Sequence, residues 1–229
     1  MERVAAVANQ LQDEFSAVEP SQVTGCVEAV ARQVDDALPA AEFTKQVLAR
    51  ARLRLAIELL GGDVRLATEL MTAGSLAEVG RVARTAARQR LRCAGATFVL
   101  LDGDKCFYAD EDSIAPLWAG QRFPVNECVS GWAMLHDEAA VIDDIALDAR
   151  VPQEAYRSTY VRSMLVMPIS GRHGPAAAIG AYWPEAHHAG RADLPWLRGL
   201  ARVTGAAIAA IGLADAPWAP NFRIGDRLR

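Results

Sequence analysis

The chain has 229 residues, of which 52% are hydrophobic, and a net charge of −4. That apolar content supports a sizeable core and excludes wholesale disorder, and without a dense Lys/Arg cluster the mild charge excludes a nucleic-acid surface. No apolar run approaches the ~20 residues needed to span a membrane, and the early acids of MERVAAVANQLQDEF do not read as a signal peptide.

Helical periodicity dominates the first third. Val4, Val7, Leu11 and Phe15 recur at three- and four-residue steps, the signature of one buried stripe. Pro20 suits the first turn of a second helix, with Val23, Val27, Val30 and Val34 as its apolar set and Cys26 beside them. Pro39 breaks it, and a third helix follows with Phe43, Val47, Ala51 and Leu55 on one face, until Gly61 and Gly62 stop it. Residues 1–62 are therefore expected to form a small all-α bundle, and 63–73 a helical linker. Arg50, Arg52 and Arg54 read as a solvated helix face.

Ser75 begins a longer helix as its N-cap, with Glu78 completing a capping box. Its apolar face is Leu76, Val79, Val82, Ala86 and Leu91, and its arginines (81, 84, 88 and 90) are expected to point largely to water. At Cys93 the pattern turns to β. Runs at Thr97–Leu101 and Lys105–Tyr108 flank an Asp-Gly hairpin signal. An irregular stretch with Pro116, Gly120 and Pro124 leads to a short helix at Ser130–Leu135 and a strand at Ala139–Ile145. A helix opened by proline is expected over Pro152–Tyr160, then strands at Ser163–Ile169 and Ala176–Trp183 about a turn at Arg172–Pro175. A long helix over Asp193–Leu213 closes the fold, and a poorly packed tail covers 215–229. Hairpin-linked strands with helices before and after indicate an α+β domain with a largely antiparallel sheet.

The stretches GATFVLLDGDKCFYADEDSIAPLWAGQRFP, CVSGWAMLHDEAAVIDDIALDARVP, YVRSMLVMPI and AAIGAYW resemble a GAF domain. The closest flavour is the sensory GAF domains of bacterial histidine kinases and related signalling proteins, here with an N-terminal three-helix extension. The resemblance covers about residues 74–214. It implies a central antiparallel sheet flanked by helices, preceded by the small all-α bundle, with a small-molecule pocket on one face and terminal helices that commonly dimerise. Family members bind cyclic nucleotides, bilins, haem or amino-acid-like ligands, so the resemblance leaves the ligand and any cofactor unknown.

The four cysteines, Cys26, Cys93, Cys106 and Cys128, show neither C-x-x-C nor zinc spacing and read as reduced thiols in a cytoplasmic protein. In the free methionine sulfoxide reductases, the enzymatic branch of the family, the helix reads Val-Cys-Gly. Ser130 stands at that cysteine here, so the nucleophile is missing, and Cys106 has no evident resolving partner. VSGWA is not G-x-S-x-G, and no histidine or aspartate set has metal-ligand spacing. No catalytic and no metal residues are therefore assigned. The helix QEAY onward lacks the cysteine that attaches a bilin, and the cyclic-nucleotide motif of phosphodiesterases is absent.

An aromatic and cationic pocket remains. The resemblance places Tyr108, Trp118, Phe123, Trp132, Tyr156 and Tyr160 toward the ligand side, with Arg157 and Arg162 flanking the same helix. Tyr156 and Tyr160 are expected to share a helix face, and two guanidiniums beside phenols favour a planar or anionic ligand. The expected protein is a non-enzymatic sensory or regulatory binder that signals through a homodimer or a partner protein. A thiol enzyme related to free methionine sulfoxide reductase, or a dimerisation module with a vestigial pocket, are the alternatives.

Overall fold

The computed structural model describes residues 2–35, 37–171, 174–187, 189–190 and 192–213. Arg172 and His173 of the expected turn, His188 and the 215–229 tail lie outside them.

Three helices open the chain: α1 (Glu2–Glu14), α2 (Pro20–Ala31) and α3 (Ala40–Leu59). They bury the stripes read from the sequence, with Val7, Leu11, Val23, Val27, Val47, Ala51 and Leu55 all at 0% exposure. Arg52 leaves the expected solvated face and grips Glu14 through two hydrogen bonds, both at 2.6 Å, tying α3 to α1. Next come α4 (Val64–Thr72) and α5 (Leu76–Leu91). Ser75 Oγ accepts from the Glu78 N–H, but the Glu78 carboxylate reaches the Gly74 N–H instead of closing the box on Ser75.

The strands are β1 (Gly95–Asp102), β2 (Lys105–Ser113), β3 (Arg122–Pro124), β4 (Ala140–Ile142), β5 (Ser163–Gly171) and β6 (Gly174–Trp183). They form a six-stranded sheet in the order β3-β2-β1-β6-β5-β4, antiparallel at every pairing. The helices α6 (Val129–His136), α7 (Gln153–Tyr156) and α8 (Asp193–Ile208) complete the described fold. The α+β architecture is as expected, with several local corrections. β3 lies in the stretch read as irregular, and β4 is three residues long because Asp144 caps a 3-10 turn at Ile145–Leu147. The long closing helix ends its α-helical part at Ile208 and continues as a wider π-type turn.

β2 extends five residues beyond its expected end through a bulge. Phe98 pairs with Asp110 and Val99 with Tyr108, so Ala109 is the extra residue. A one-residue insertion reverses the facing of everything after it. Cys106 and Tyr108 lie on one face of the sheet; beyond the bulge Asp110 and Asp112 meet α5 on the other. There Arg84 binds Asp110 at 2.7 Å and Arg88 binds Asp112. This corrects the reading of those two arginines as water-facing, and the charged ADEDS stretch stays in the sheet because its acids are paired.

The two faces of the sheet carry separate cores. On the first, Phe98, Leu100, Leu165, Met167, Ile169 and Ile179 join α5, α8 and the whole N-terminal bundle in one continuous aliphatic cluster. A Cβ on Gly199 of α8 would stand 2.1 Å from the Leu59 carbonyl oxygen, so only glycine permits this approach of α8 to α3. On the second face Val99, Met164, Val166 and Tyr182 pack against α6 and the loops.

Candidate functional site

The second face is built mainly of aromatic side chains. Alternation along β2 and β6 directs Tyr108 and Tyr182 to it, and both are buried. Trp118 comes from the β2–β3 loop, which folds back over its own strand. The Gly120 N–H donates to the Tyr108 carbonyl, and the Tyr108 N–H donates to the Gln121 carbonyl. Trp118 then meets Tyr108, Tyr156 and Tyr182 edge to face, at centroid distances of 5.4, 4.9 and 5.6 Å. Phe123 meets Tyr108 the same way at 5.5 Å. Such pairs add about 0.5–1.5 kcal/mol each beyond area burial.

Each phenol has a polar partner. Tyr182 Oη and Thr97 Oγ1 are 3.0 Å apart, Tyr108 Oη and Ser130 Oγ are 3.3 Å apart, and Tyr156 donates to Met164 Sδ at 3.7 Å. Burial raises the pKa of all three tyrosines; neighbouring tyrosine charge adds to the shift of Tyr108 and Tyr156, and Cys128 adds to all three. They are neutral hydroxyls at physiological pH. A Cβ on Gly180 would lie 2.2 Å from Tyr182 Oη, so this glycine leaves room for the hydroxyl.

Glu111 was not singled out in the sequence. The bulge turns it to the second face, where its carboxylate accepts from the N–H groups of Leu117, Trp118 and Ala119 at 3.0, 2.8 and 2.9 Å. Charge-assisted bonds of this kind are the strong class. Glu111 thus fixes the loop that carries Trp118. Its signal, an acid near a strand end seven residues before a loop tryptophan, is too common to identify from sequence.

The structure brings Tyr108, Trp118, Phe123 and Tyr156 into ring contact, packs Trp132 and Tyr160 on the margin of the same cluster, and sets Arg157 and Arg162 apart at the surface. Trp132 lies on the outer side of α6, stacked on His136 at 4.6 Å with Arg150 over its ring at 4.6 Å. Tyr160 is half-buried at the start of β1, its hydroxyl 2.6 Å from Ser113 Oγ. α7 is four residues long, and Thr159 folds back onto the Tyr156 carbonyl through both its N–H and its Oγ1, so Tyr156 and Tyr160 share no helix face. Arg157 is an exposed side chain on Glu154 at 2.5 Å, and Arg162 clamps Asp144 at 2.7 Å.

The thiols also rearrange the expectation. The Val125 N–H donates to the Asp104 carbonyl, and Phe123 pairs with Cys106. These contacts lay residues 123–125 along the β1–β2 hairpin, and Cys106 and Cys128 are buried in the same cluster, where each thiol is the first cause of the other's pKa shift, upward for Cys106 and downward for Cys128. Gly131 permits the fit: its Cβ would stand 1.7 Å from the Val125 carbonyl oxygen. It brings α6 close to the 3-10 turn at Val125–Glu127.

The aromatic group is filled by its own side chains. A separate cleft of about 370 Å³ opens beside the bundle, lined by Ala17, Asp137, Glu138, Ser170, Arg198 and Arg202 among others. Among the described residues no cluster of three or more His, Cys, Asp or Glu could hold a metal ion, and no helix is long and apolar enough to cross a membrane.

A family model for the GAF domain matches residues 73–209. Among solved structures, the GAF domain of a phosphoenolpyruvate-protein phosphotransferase from Coxiella burnetii superposes with a TM-score of 0.59 at 16% identity, covering 72% of this chain and 99% of that one. The corresponding Acinetobacter domain gives 0.57 at 14% identity, covering 69% and 96%. Free methionine-R-sulfoxide reductase from Neisseria meningitidis, solved with its substrate, gives 0.53 at 19% identity, covering 74% and 93%. At these identities the likeness is one of fold. No curated protein matches the chain.

Proposed function

This chain belongs to the GAF domain family, and from that premise we propose that it is a cytoplasmic, non-enzymatic sensor whose second sheet face receives a small planar molecule. GAF domains are sensory and ligand-binding domains, which is the coarse role this chain shares. The observation that carries the finer reading is the aromatic group itself. Four rings, Tyr108, Trp118, Tyr156 and Tyr182, pack around Trp118, and three neutral hydroxyls lie in the same buried group. An apolar wall with a few convergent hydroxyls is the general design of a small-molecule site. The rings pack directly against one another, and Trp118 rides on a loop tied by Glu111, so a ligand is received by displacing that loop. The planar half of the ligand expectation keeps its support. The anionic half loses the two guanidiniums it rested on, since Arg157 and Arg162 already face Glu154 and Asp144 at the surface.

Output passes to a second copy or a partner protein. The stripes of α5 and α8, from which a homodimer was expected, are covered by the sheet and the N-terminal bundle. The remaining exposed apolar residues include Leu135, Val141 and Leu147, on α6, edge strand β4 and the turn after it. The edge at β4 is therefore the proposed contact. Sedimentation of wild type against Leu147→Asp tests it, with a monomer in both discarding the dimer.

Native mass spectrometry of the purified chain, followed by titration of any retained molecule against Trp118→Ala, tests the ligand reading. A planar compound whose affinity falls at least tenfold in the variant supports it. Equal affinity in both, or release of free methionine from its sulfoxide by the wild type, sinks it. The close fit of the rings favours one second reading, a dimerisation module with a vestigial pocket; a chain that retains and binds nothing while remaining dimeric would establish that one.

A further inference from the structure

The cleft beside the bundle is a product of sheet register. β4 pairs with β5 at Ala140–Val166, Val141–Leu165 and Ile142–Met164. Continuing that register would set Glu138 opposite Pro168, which has no N–H to give a ladder. β4 therefore begins only at Ala140, and beyond Val166 the outer edge of β5 has no strand partner among the described residues. α8 meets the same strand at Gly205, where a Cβ would stand 2.7 Å from the Ser170 carbonyl oxygen. Arg198, Ala201 and Arg202 share a helix stripe with Gly205, at steps of three and four residues. The space between that stripe and the strand is the cleft, of about 370 Å³.

Its walls carry opposite charge. Arg198 and Arg202 line it from α8, and Asp137 and Glu138 line it from the corner between α6 and β4. Ser170 Oγ donates to Asp137 Oδ1 at 2.6 Å and ties that corner to β5. Among the described residues neither Arg198 nor Arg202 has an ion pair or hydrogen bond. Arg52, Arg84, Arg122 and Arg162, by contrast, each hold a carboxylate. The two signs thus share one cleft without neutralising each other directly.

We infer that this cleft binds a small zwitterion, a molecule with a carboxylate at one end and an ammonium at the other. Guanidiniums one helical turn apart offer paired N–H donors to a carboxylate. Glu138 and the remaining acceptor positions of Asp137 take the ammonium. A simple anion gains the arginine wall and is repelled by the acidic one, and a simple amine meets the reverse. The volume lies at the small end of the range for ligand sites, which suits a molecule of amino-acid or dipeptide size. Arg198, Asp137 and Glu138 are exposed and Arg202 is half-buried, so binding is weak and falls with added salt. This site shares no residue with the aromatic group and stands whether or not the second face receives a ligand.

Glycylglycine, γ-aminobutyrate and ε-aminocaproate are titrated into the full chain at low salt by ligand-observed NMR, with butyrate and butylamine as controls. At least one zwitterion should bind roughly tenfold or more tightly than either control, and Arg202→Gln should remove that advantage. Arg198→Gln takes its place if Arg202→Gln lowers the melting temperature. Glu138→Gln should weaken the zwitterion while strengthening butyrate, a crossover that a merely structural role does not produce. Trp118→Ala should leave the affinity unchanged. Loss of binding in that variant alone would move the molecule to the second face, overturning this site while supporting the ligand reading given above. Controls that bind as well as the zwitterions, no binding by any zwitterion, or an affinity unmoved by both arginine variants also overturns the proposal.

Discussion

The two faces of one sheet are packed to different ends. On the first, Phe98, Leu165, Ile169 and Ile179 interlock with α5, α8 and the bundle, and most members of the cluster are aliphatic. On the second, the rings of Tyr108, Trp118, Tyr156 and Tyr182 meet edge to face, and each of the three phenols finds one polar partner. The first face is held mainly by shape and volume, with the ion pairs of Arg84 and Arg88 at its margin. The second depends on neutral hydroxyls and on one carboxylate anchoring a loop, so single polar atoms matter there.

Alkaline titration should produce the largest break between the faces. Tyr108, Tyr156 and Tyr182 have folded-state pKa values raised above the ordinary 10.0. Their contribution to stability is complete below their unfolded pKa and is lost as pH rises toward the folded values. Each buried phenol withdraws up to about 1.4 kcal/mol per pH unit in that window, or roughly 4 kcal/mol for the three together. Phenolate absorbance and ellipticity should therefore change in one cooperative step above pH 10.0; ionisation of all four tyrosines with the fold intact would refute the sealed site. Phe98→Ala should cost about 3–5 kcal/mol in denaturant unfolding by opening a cavity in the aliphatic face. It should leave the tryptophan fluorescence of the folded state unchanged.

Glu111→Gln should cost less, about 1–2 kcal/mol, by weakening charge-assisted bonds to three amides. Its readout is a red shift of emission as Trp118 leaves its pocket, and an unshifted spectrum would show that the loop holds without the carboxylate. Tyr182→Phe should cost about 1 kcal/mol, because it strips the partner from the buried Thr97 hydroxyl while changing almost no volume. A hydroxyl-free face as stable as the wild type would erase the contrast with the first face. Arg157→Ala should change stability by no more than about 0.5 kcal/mol, as its ion pair is exposed. It should also leave affinity for any bound planar ligand unaltered, and a tenfold loss would restore the anionic ligand.

Much of this was legible in the chain. The stripes of α1 to α3 are where Val7, Leu11, Val27, Val47 and Leu55 placed them, because a 3.6-residue period leaves one way to hide such a set. The Asp102-Gly103 turn, the two apolar strands and the closing helix carried the fold class. The resemblance also pointed to Tyr108, Trp118, Phe123 and Tyr156. Local periodicity is written in neighbouring residues, so it survives being read without the rest of the molecule. The partners of individual side chains are not written there. One extra residue at Ala109 decides that Asp110 and Asp112 meet the arginines of α5 while Glu111 reaches the Trp118 loop. A four-residue α7 decides that Tyr156 and Tyr160 point apart. The sequence by itself determined which residues would be buried and in what kind of element. Which buried residues touch was decided only by the tertiary structure, since register, bulges and loop closure are settled by the summed packing of segments distant in the chain.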